Sequence, residues 1–405
     1  MNKKNSPTKG EMKTLKFHYW SKRITQGAAL LSVLSLSSIA PLTAIAADAS
    51  AKDQPKIVQL TQPRFPIAID NQGNGWCLAL HAISVKDGSF PNLMVKAPSL
   101  TNVKSISQNE HGMILVLKND GTVWTVERTA ENEQPDHKEH ISATLGEQIP
   151  HLENIVKVDT FGLFGLALDK NGKVWIFETA PSYVKNDPSI SLKTEPVLVE
   201  GLDHIKDLMI SNDYYDVTFL KEDGTVWNID AYNPWGSKKP LYDSFRFNKP
   251  VQLENLKDIV QLKNNHFAIK KDGTVWNWGR TTAFSENQSF QEVALTPAAP
   301  YQVDEISDVV DVSSNFEHVL FVKKDGSVWG KGYFVEKWEA LGIEPQTVWK
   351  DLFKLDGIAD AASVNINNYY SPTESIIKKD GTVWMWGLDN FSKFVDKPQQ
   401  VEFRS

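Results

Sequence analysis

The residue types best suited to chemistry fall into few constellations. Asp136, His137, Glu139 and His140, within the run Asp-His-Lys-Glu-His, offer two carboxylates and two imidazoles, the donor types of a zinc site. Their spacing is not that of the His-Glu-x-x-His helix of zinc hydrolases, and the stretch is polar, so a solvated charged loop is the expectation. Asp169-Lys170-Asn171-Gly172 begins as a calcium loop begins, but no later acidic ligand follows. There is no Gly-x-Ser-x-Gly elbow and no phosphate-binding loop. Paired carboxylates for glycoside cleavage would be brought together by the fold and leave no linear trace. The expectation is a protein that binds rather than catalyses, with no catalytic residues, metal or cofactor.

Aromatic and amide-rich short segments are more abundant. They contain Phe164, Tyr214, Tyr215, His266, Phe316, His318, Tyr369 and Tyr370, and an insertion at 231–249 adds Trp235. Tyr and Trp give large contact areas at low entropic cost, which is why they dominate interface hot spots. These nine residues are the candidate binding residues. They must be held by a scaffold, and the scaffold is legible in a repeat.

The motif Leu-Lys-Asn-Asp-Gly-Thr-Val-Trp at 117–124 returns at 168–175, 220–227, 269–276, 322–329 and 377–384, with a worn copy at 69–76. The tryptophans stand at 76, 124, 175, 227, 276, 329 and 384, so the period runs from 48 to 55 residues. An Asp-Gly pair between alternating β-branched and aromatic residues is a strong hairpin signal. The Gly supplies the positive φ that such a turn needs. An apolar segment precedes each hairpin, such as Leu152–Val158 or Ile306–Val312. Before that comes a shorter one, such as Pro196–Leu202, Pro250–Leu256 or Pro300–Ile306, read as the opening strand of each repeat. No helical period is sustained, except in the short stretch Glu336–Gly342. Four strands in about fifty residues, seven times over, predict an all-β, seven-bladed β-propeller of four-stranded blades. Each repeated Trp is expected to plug the wedge between blades, burying ~150–250 Å².

The ends carry a closure scheme. Pro398–Phe403 reads as an opening strand with no hairpin after it, and Ile57–Leu60 as the second strand of a repeat with no opening strand before it. The ring is therefore expected to close by pairing of N- and C-terminal strands, the C-terminal strand completing the Trp76 blade.

Residues 1–46 read as a bacterial-type secretory signal peptide. Lys13, Lys16, Lys22 and Arg23 precede the apolar run Gly27–Ala46, which ends in Ala44-Ile45-Ala46. Pro41 and the Ser/Thr content make that run a poor membrane span. Residues 47–55 form a short linker, and 56–405 the propeller. Beyond residue 46 the chain holds 36 Lys and Arg against 49 Asp and Glu, a net charge of −13. That balance argues against nucleic acid or an anionic membrane as partner. Cys77 is the single cysteine and reads as a small buried hydrophobe.

The runs Ile269–Gly279 and Ile377–Gly387 resemble repeats of the regulator-of-chromosome-condensation family, and the resemblance extends over about residues 56–403. It implies a seven-bladed propeller. The family's Trp-Gly after the hairpin survives at Trp278-Gly279 and Trp386-Gly387, and the His before the second strand at His318. Its Gly-Gln-Leu-Gly segment is absent, so nucleotide exchange on a nuclear GTPase and chromatin binding do not carry over. Exported bacterial propellers of this family include inhibitors of β-lactamases, so the resemblance implies protein binding by one face. The expected function is an exported, monomeric, non-enzymatic propeller in the secreted or periplasmic space. Its partner is a protein or a cell-envelope component, met through the aromatic loop face. The alternatives are a carbohydrate- or cell-wall-binding lectin-like propeller and, less favoured, an extracellular hydrolase or lyase.

Overall fold

Each Asp-Gly motif forms the tight turn of a hairpin, and the hairpins assemble into seven sheets. The computed structural model describes residues 54–404 apart from 62–65, 79–92, 110–111, 134–137, 181–191, 193, 212–215, 231–248, 264–265, 280–283, 285–298, 316, 339–344, 367–372 and 389–393. The segment 1–46 lies outside the described residues.

Blade one contains β1 (Ile57–Leu60), β2 (Ile67–Asp70), β3 (Gly75–Leu78) and β4 (Leu93–Ala97). Blade two contains β5 (Val103–Gln108), β6 (Ile114–Lys118), β7 (Val123–Glu133) and β8 (Lys138–Gln148). Blade three contains β9 (Ile155–Phe161), β10 (Phe164–Asp169), β11 (Val174–Glu178) and β12 (Val197–Leu198). Blade four contains β13 (Ile205–Ser211), β14 (Asp216–Lys221), β15 (Val226–Asp230) and β16 (Val251–Gln252). Blade five contains β17 (Ile259–Lys263), β18 (Phe267–Lys270), β19 (Val275–Asn277) and β20 (Tyr301–Gln302). Blade six contains β21 (Val309–Ser314), β22 (His318–Lys323), β23 (Val328–Lys337) and β24 (Gln346–Lys354). Blade seven contains β25 (Ala361–Ile366), β26 (Thr373–Lys378), β27 (Val383–Leu388) and β28 (Phe394–Gln400). A last strand, β29 (Glu402–Arg404), follows. The fold is an all-β propeller of seven four-stranded blades.

The phase of the repeat differs from the sequence reading. The short Pro-led segments do not open blades; Val197–Leu198, Val251–Gln252 and Tyr301–Gln302 each pair with the strand carrying the repeated Trp and close the preceding blade. Two residues suffice for that pairing, after which the chain crosses to the next blade. Closure shifts accordingly. Pro398 lies in β28, which completes blade seven against β27. The C-terminal strand does reach the Trp76 blade, but as a fifth strand, β29, parallel to β4. Gln54 fastens the N-terminal side to it, its amide donating to the Phe403 carbonyl and its oxygen accepting from the Phe403 N–H.

The ring itself is tied at the Asp-Gly turns. The carbonyls of Gly73, Gly121, Gly172, Gly224, Gly273 and Gly326 accept from the first backbone N–H of the next blade's first strand, at 2.9 to 3.4 Å. Gly381 does the same for Ile57 at 3.0 Å, joining blade seven to blade one. A side chain here has no room: at Gly326, with φ +83°, a Cβ would stand 2.7 Å from Asp360 Cα. In six of the seven blades the residue the turn docks on is itself left-handed, as at Asn154, Asp308 and Asp360 with φ of 56° to 57°; the Gly381 turn docks on Lys56 instead.

Every first strand carries a β-bulge near this face, since the register skips one residue against the second strand in all seven blades. The skipped residues are Val58, Lys104, Val156, Lys206, Val260, Val310 and Ala362, and all seven are exposed. A bulge re-aims its extra residue out of the ladder, which accounts for four exposed valines in a protein whose other first-strand aliphatics are buried.

The repeated tryptophans sit between blades, as expected, but Trp76 alone of the seven is fully buried. Trp175, Trp227, Trp276, Trp329 and Trp384 pack one side against the clusters between blades and are half-buried. The other side is covered by lysine. Lys118, Lys221, Lys270, Lys323 and Lys378 place their ammonium groups 4.2 to 5.9 Å from the ring centroids of Trp124, Trp227, Trp276, Trp329 and Trp384. Such contacts are favourable by ~0.5–1 kcal/mol at exposed sites, and the lysine stem shields the ring while its head stays in water.

The turn Asp serves the same Trp through a relay. Asp272 accepts from the Thr274 amide and hydroxyl; in the equivalent turns of Asp120, Asp223, Asp325 and Asp380 that hydroxyl also accepts from the indole Nε1. Where the lysine is replaced by Asp70 or Asp169, that carboxylate takes the indole directly, at 3.1 and 3.4 Å. Asp169-Lys-Asn-Gly is thus a turn whose carboxylate is filled by its own chain.

These hydrogen bonds hold the carboxyls of Asp120, Asp223, Asp272, Asp325 and Asp380 below the ordinary carboxylate range. A carboxyl pKa lowered by folding contributes stability that is present above its unfolded value and lost as pH falls through the folded one. Acidification from about pH 5 to about pH 3 should therefore lower the urea midpoint. A variant with Asp223, Asp272 and Asp325 all replaced by Asn should lose less over the same window. Parallel curves would show that the turns do not carry the acid response.

Candidate functional site

Strand direction reverses at each turn, so the Asp-Gly turns share one face of the ring. The turns between first and second strands, and the long connections between third and fourth strands, share the other. The two faces differ in kind. The first repeats one hydrogen-bonded device seven times. The second varies from blade to blade.

Six of the nine candidate residues, Tyr214, Tyr215, Trp235, Phe316, Tyr369 and Tyr370, lie outside the described residues. The remaining three stand at the starts of second strands on the variable face, Phe164 and His318 as the first residue and His266 just before β18, and are buried. Phe164 is 4% exposed and packs against Phe161 at 5.7 Å between ring centroids. His266 directs Nε2 at Asp216 Oδ2, 2.8 Å away in the preceding blade. A carboxylate only accepts, so Nε2 carries the proton. The Trp278 ring stands edge-on to that imidazole at 5.7 Å. His318 Nε2 lies 3.0 Å from Glu374 Oε1 in the next blade, beneath the Phe334 ring at 4.6 Å. These three side chains join blades at the rim and present no free ring to a partner.

Two hairpins rise above that rim. β22 begins at His318, which pairs with Gly332, and the Tyr333 N–H still bonds the Glu317 carbonyl, so Phe334–Lys337 pair with β24 alone. In blade two, Val126–Glu133 likewise pair with β8 alone. The stretch Glu336–Gly342, considered for a helix, begins with Glu336 and Lys337 in strand. On the blade-six hairpin Tyr333 and Trp349 are cross-strand partners, half-buried and edge-to-face at 5.1 Å. Lys331 lies beneath, held by Glu305 at 2.6 Å. Sequence reading did not single out this pair; the alternation of Tyr333 with Val335 was its signal.

Glu139 and His140 belong to β8, whereas Asp136 and His137 lie outside the described residues. Among the described residues no three metal-ligating side chains cluster. Cys77 is buried, and burial pushes its thiol pKa up, which makes it a poor nucleophile.

The axis shows a second arrangement. The first strands are edge strands, and the N–H groups of a free edge need partners. Side chains of the preceding blade supply several. Gln59 bonds both the N–H and the carbonyl of Ile106. Asp159 accepts from Ile210, Asp311 from Val364 and Ser313 from Ile366. Two ion pairs cross the same seams, Lys157 with Asp207 and Lys263 with Asp311. Burial raises the Asp159 carboxyl pKa against the opposing hydrogen bonds from Ile210 and Ser107 and the nearby charge of Lys157. The first strands of blades five, six, seven and one, with β26, line a half-open cavity of about 300 Å³.

No family sequence model and no curated protein matches the chain. Solved structures do resemble it. Prp20p of Saccharomyces cerevisiae, described with its binding to Gsp1p and histones, aligns with TM-score 0.56 and 16% identity over 83% of this chain and 87% of that one. Yeast RCC1 (Prp20) in complex with Kap60 aligns with TM-score 0.55 and 17% identity, over 92% and 91%. Human WBSCR16 aligns with TM-score 0.51 and 14% identity, over 76% and 84%. At these identities the likeness is one of fold, and it agrees with the propeller type implied by the repeats. Among the described residues no helix is long and apolar enough to cross a membrane.

Proposed function

We propose that the chain is an exported, non-enzymatic binding propeller that engages a protein partner through its variable face. One observation carries this reading: the two faces are unlike. The Asp-Gly face spends its turns on one repeated structural bond, whereas the opposite face carries projecting hairpins that differ in length and residues. Loops and hairpins on a rigid scaffold are where recognition concentrates. The half-exposed Tyr333–Trp349 pair is of the hot-spot type. Structural neighbours described with protein partners support a protein as the class of ligand, though not those particular partners. The basic and apolar segment within residues 1–46 supports export.

Fractionation of the native cell, with N-terminal sequencing of the recovered protein, tests export; recovery of an unprocessed chain in the cytoplasm would refute it. Partner capture from the envelope fraction tests the face. Trp349→Ala and Tyr333→Ala should each weaken the captured interaction about tenfold or more with folding intact. Charge reversal at Lys271, Lys324 and Lys379 should leave affinity nearly unchanged. The reverse pattern would place binding on the Asp-Gly face.

A further inference from the structure

The outermost strand of each blade presents an edge, and six of the seven edges are blunted or covered. In blades three, four and five the outer strand is cut to two residues, too short to template a ladder. In blade seven Pro398 stands within β28, and proline brings no N–H to an edge. In blade one β29 lies along β4 and pairs with it over three residues. In blade two the Ser99 hydroxyl closes the edge of β8. It donates to the Ala143 carbonyl and accepts from the Leu145 N–H, at 3.4 and 3.0 Å. Blade six has no such cover among the described residues. Its outer strand β24 runs for nine residues without Gly or Pro, no strand pairs beyond it, and no described side chain bonds its backbone.

The register shows what that edge offers. Tyr333 gives its N–H to the Glu317 carbonyl, so its backbone polar groups point away from β24. Trp349, its partner across the ladder, is therefore in a non-hydrogen-bonded pair and turns its own N–H and carbonyl outward. Thr347, opposite Val335, does likewise. A bulge follows, with Asp351 and Leu352 both opposite Lys331, so the regular open stretch is Thr347–Lys350. Two N–H groups and two carbonyls at this spacing make a ladder as short as the one between β4 and β29. Asp351 is already taken, by the Trp349 indole at 3.3 Å with Lys331 at 3.9 Å. Lys350 is exposed, rests over the Phe353 ring at 5.2 Å, and pairs with no carboxylate among the described residues.

We infer that the open edge of β24 takes up an extended segment of the partner protein as a fifth strand of blade six, bonded at Thr347 and Trp349 and carrying a carboxylate opposite Lys350. This rests on the variable face being the binding face, and it names the mode of binding. The mode exists within the chain itself, where β29 is an extended segment, remote in sequence, held on the outer edge of β4. Side chains set the selectivity. A β-branched residue opposite Trp349 makes a favourable cross-strand pair, and the unpaired ammonium beside it selects an acidic neighbour. A second copy of the chain fits less well. Antiparallel self-pairing centred on Val348 or Trp349 places Gln346 or Val348 opposite Lys350, and the acidic chain repels its own copy.

Two end-blocked pentapeptides are the probes, Glu-Ile-Val-Thr-Thr for antiparallel and Thr-Thr-Val-Ile-Glu for parallel addition, titrated into the purified full chain by NMR. One of them should bind saturably with a Kd of about 1 mM or tighter. Binding should slow amide exchange at Thr347 and Trp349, whose N–H groups face the edge, and leave Val348, whose N–H faces β23, as it was. Thr347→Pro should abolish binding, and so should N-methylation of the peptide amides. Lys350→Glu should weaken the peptide about fivefold, and Lys in place of its Glu should recover the loss. The inference is overturned by no saturable binding up to about 5 mM, by binding that survives Thr347→Pro or N-methylation, or by unchanged exchange at Thr347 and Trp349. Sedimentation showing a parent that dimerises and a Thr347→Pro variant that does not would give the edge to a second copy and equally overturn it. If the peptides fail while Trp349→Ala still weakens the captured partner, the binding face stands and its strand mode falls.

Discussion

Phe403→Ala should destabilise the ring by about 3–5 kcal/mol, the usual cost of emptying a buried aromatic site. Phe403 is the third-last residue of the sequence, where fraying is the common behaviour. Here it is 6% exposed, edge-on to Trp76 at 5.5 Å, and part of the cluster that joins blade one to blade seven through Ile57, Met94, Ile377 and Met385. Its backbone is held on both sides, by Met94 in the parallel ladder and by Gln54. Deleting 401–405 should exceed the point substitution, because buried Val401 goes as well. Urea denaturation gives the comparison, with Val251→Ala as control, since that side chain is 65% exposed and should shift stability by under ~0.5 kcal/mol. If Phe403→Ala and Val251→Ala prove indistinguishable, the terminal strand is decoration and the ring is held by its turns alone.

The fold was legible because its signals are local. A turn needs Gly for its φ, a hairpin needs alternation, and both recur at a fixed spacing that survives poor overall conservation of the intervening loops within the chain. Blade phase was not legible. Tyr301–Gln302 and Val251–Gln252 look the same in sequence whether they open one blade or close another, and pairing across a long insertion decides it. The degree of Trp burial was hidden for a related reason. The covering lysine stands six residues before its Trp, and meets it only once the hairpin sets Val116 opposite Trp124 and brings Lys118 alongside. Candidate binding residues fared differently by type. The aromatic turns drew attention by composition, yet Phe164, His266 and His318 are consumed in joining blades, while the Tyr333–Trp349 pair emerged from cross-strand register. The axial residues did leave a trace. With the repeats aligned on their bulges, the third position of the first strand is Gln59, Ser105, Lys157, Asp207, Gln261, Asp311 and Ser363, polar in every blade. An apolar strand that keeps one polar position through seven repeats marks a surface that must satisfy a neighbour's backbone.

Asp311 is where that requirement is greatest. Its carboxylate is buried, bonded to the Val364 N–H of the next blade at 2.9 Å and paired with Lys263 of the blade before. One side chain thus bridges three blades. Asp311→Ala should cost about 3 kcal/mol, because it leaves Lys263, whose side chain is 18% exposed, without a counter-charge and the buried Val364 N–H without an acceptor. Lys263→Met in the same background should restore part of that loss by removing the stranded charge, and the remainder should reflect the orphaned N–H, about 1–3 kcal/mol. The cost should persist in high salt, since a buried pair is screened far less than a surface one. Three urea series, for Asp311→Ala, Lys263→Met and the pair, give the coupling directly. Strict additivity would mean that the lysine and the aspartate do not sense each other, and that the axis is held by the packing between blades rather than by the polar ladder along its first strands.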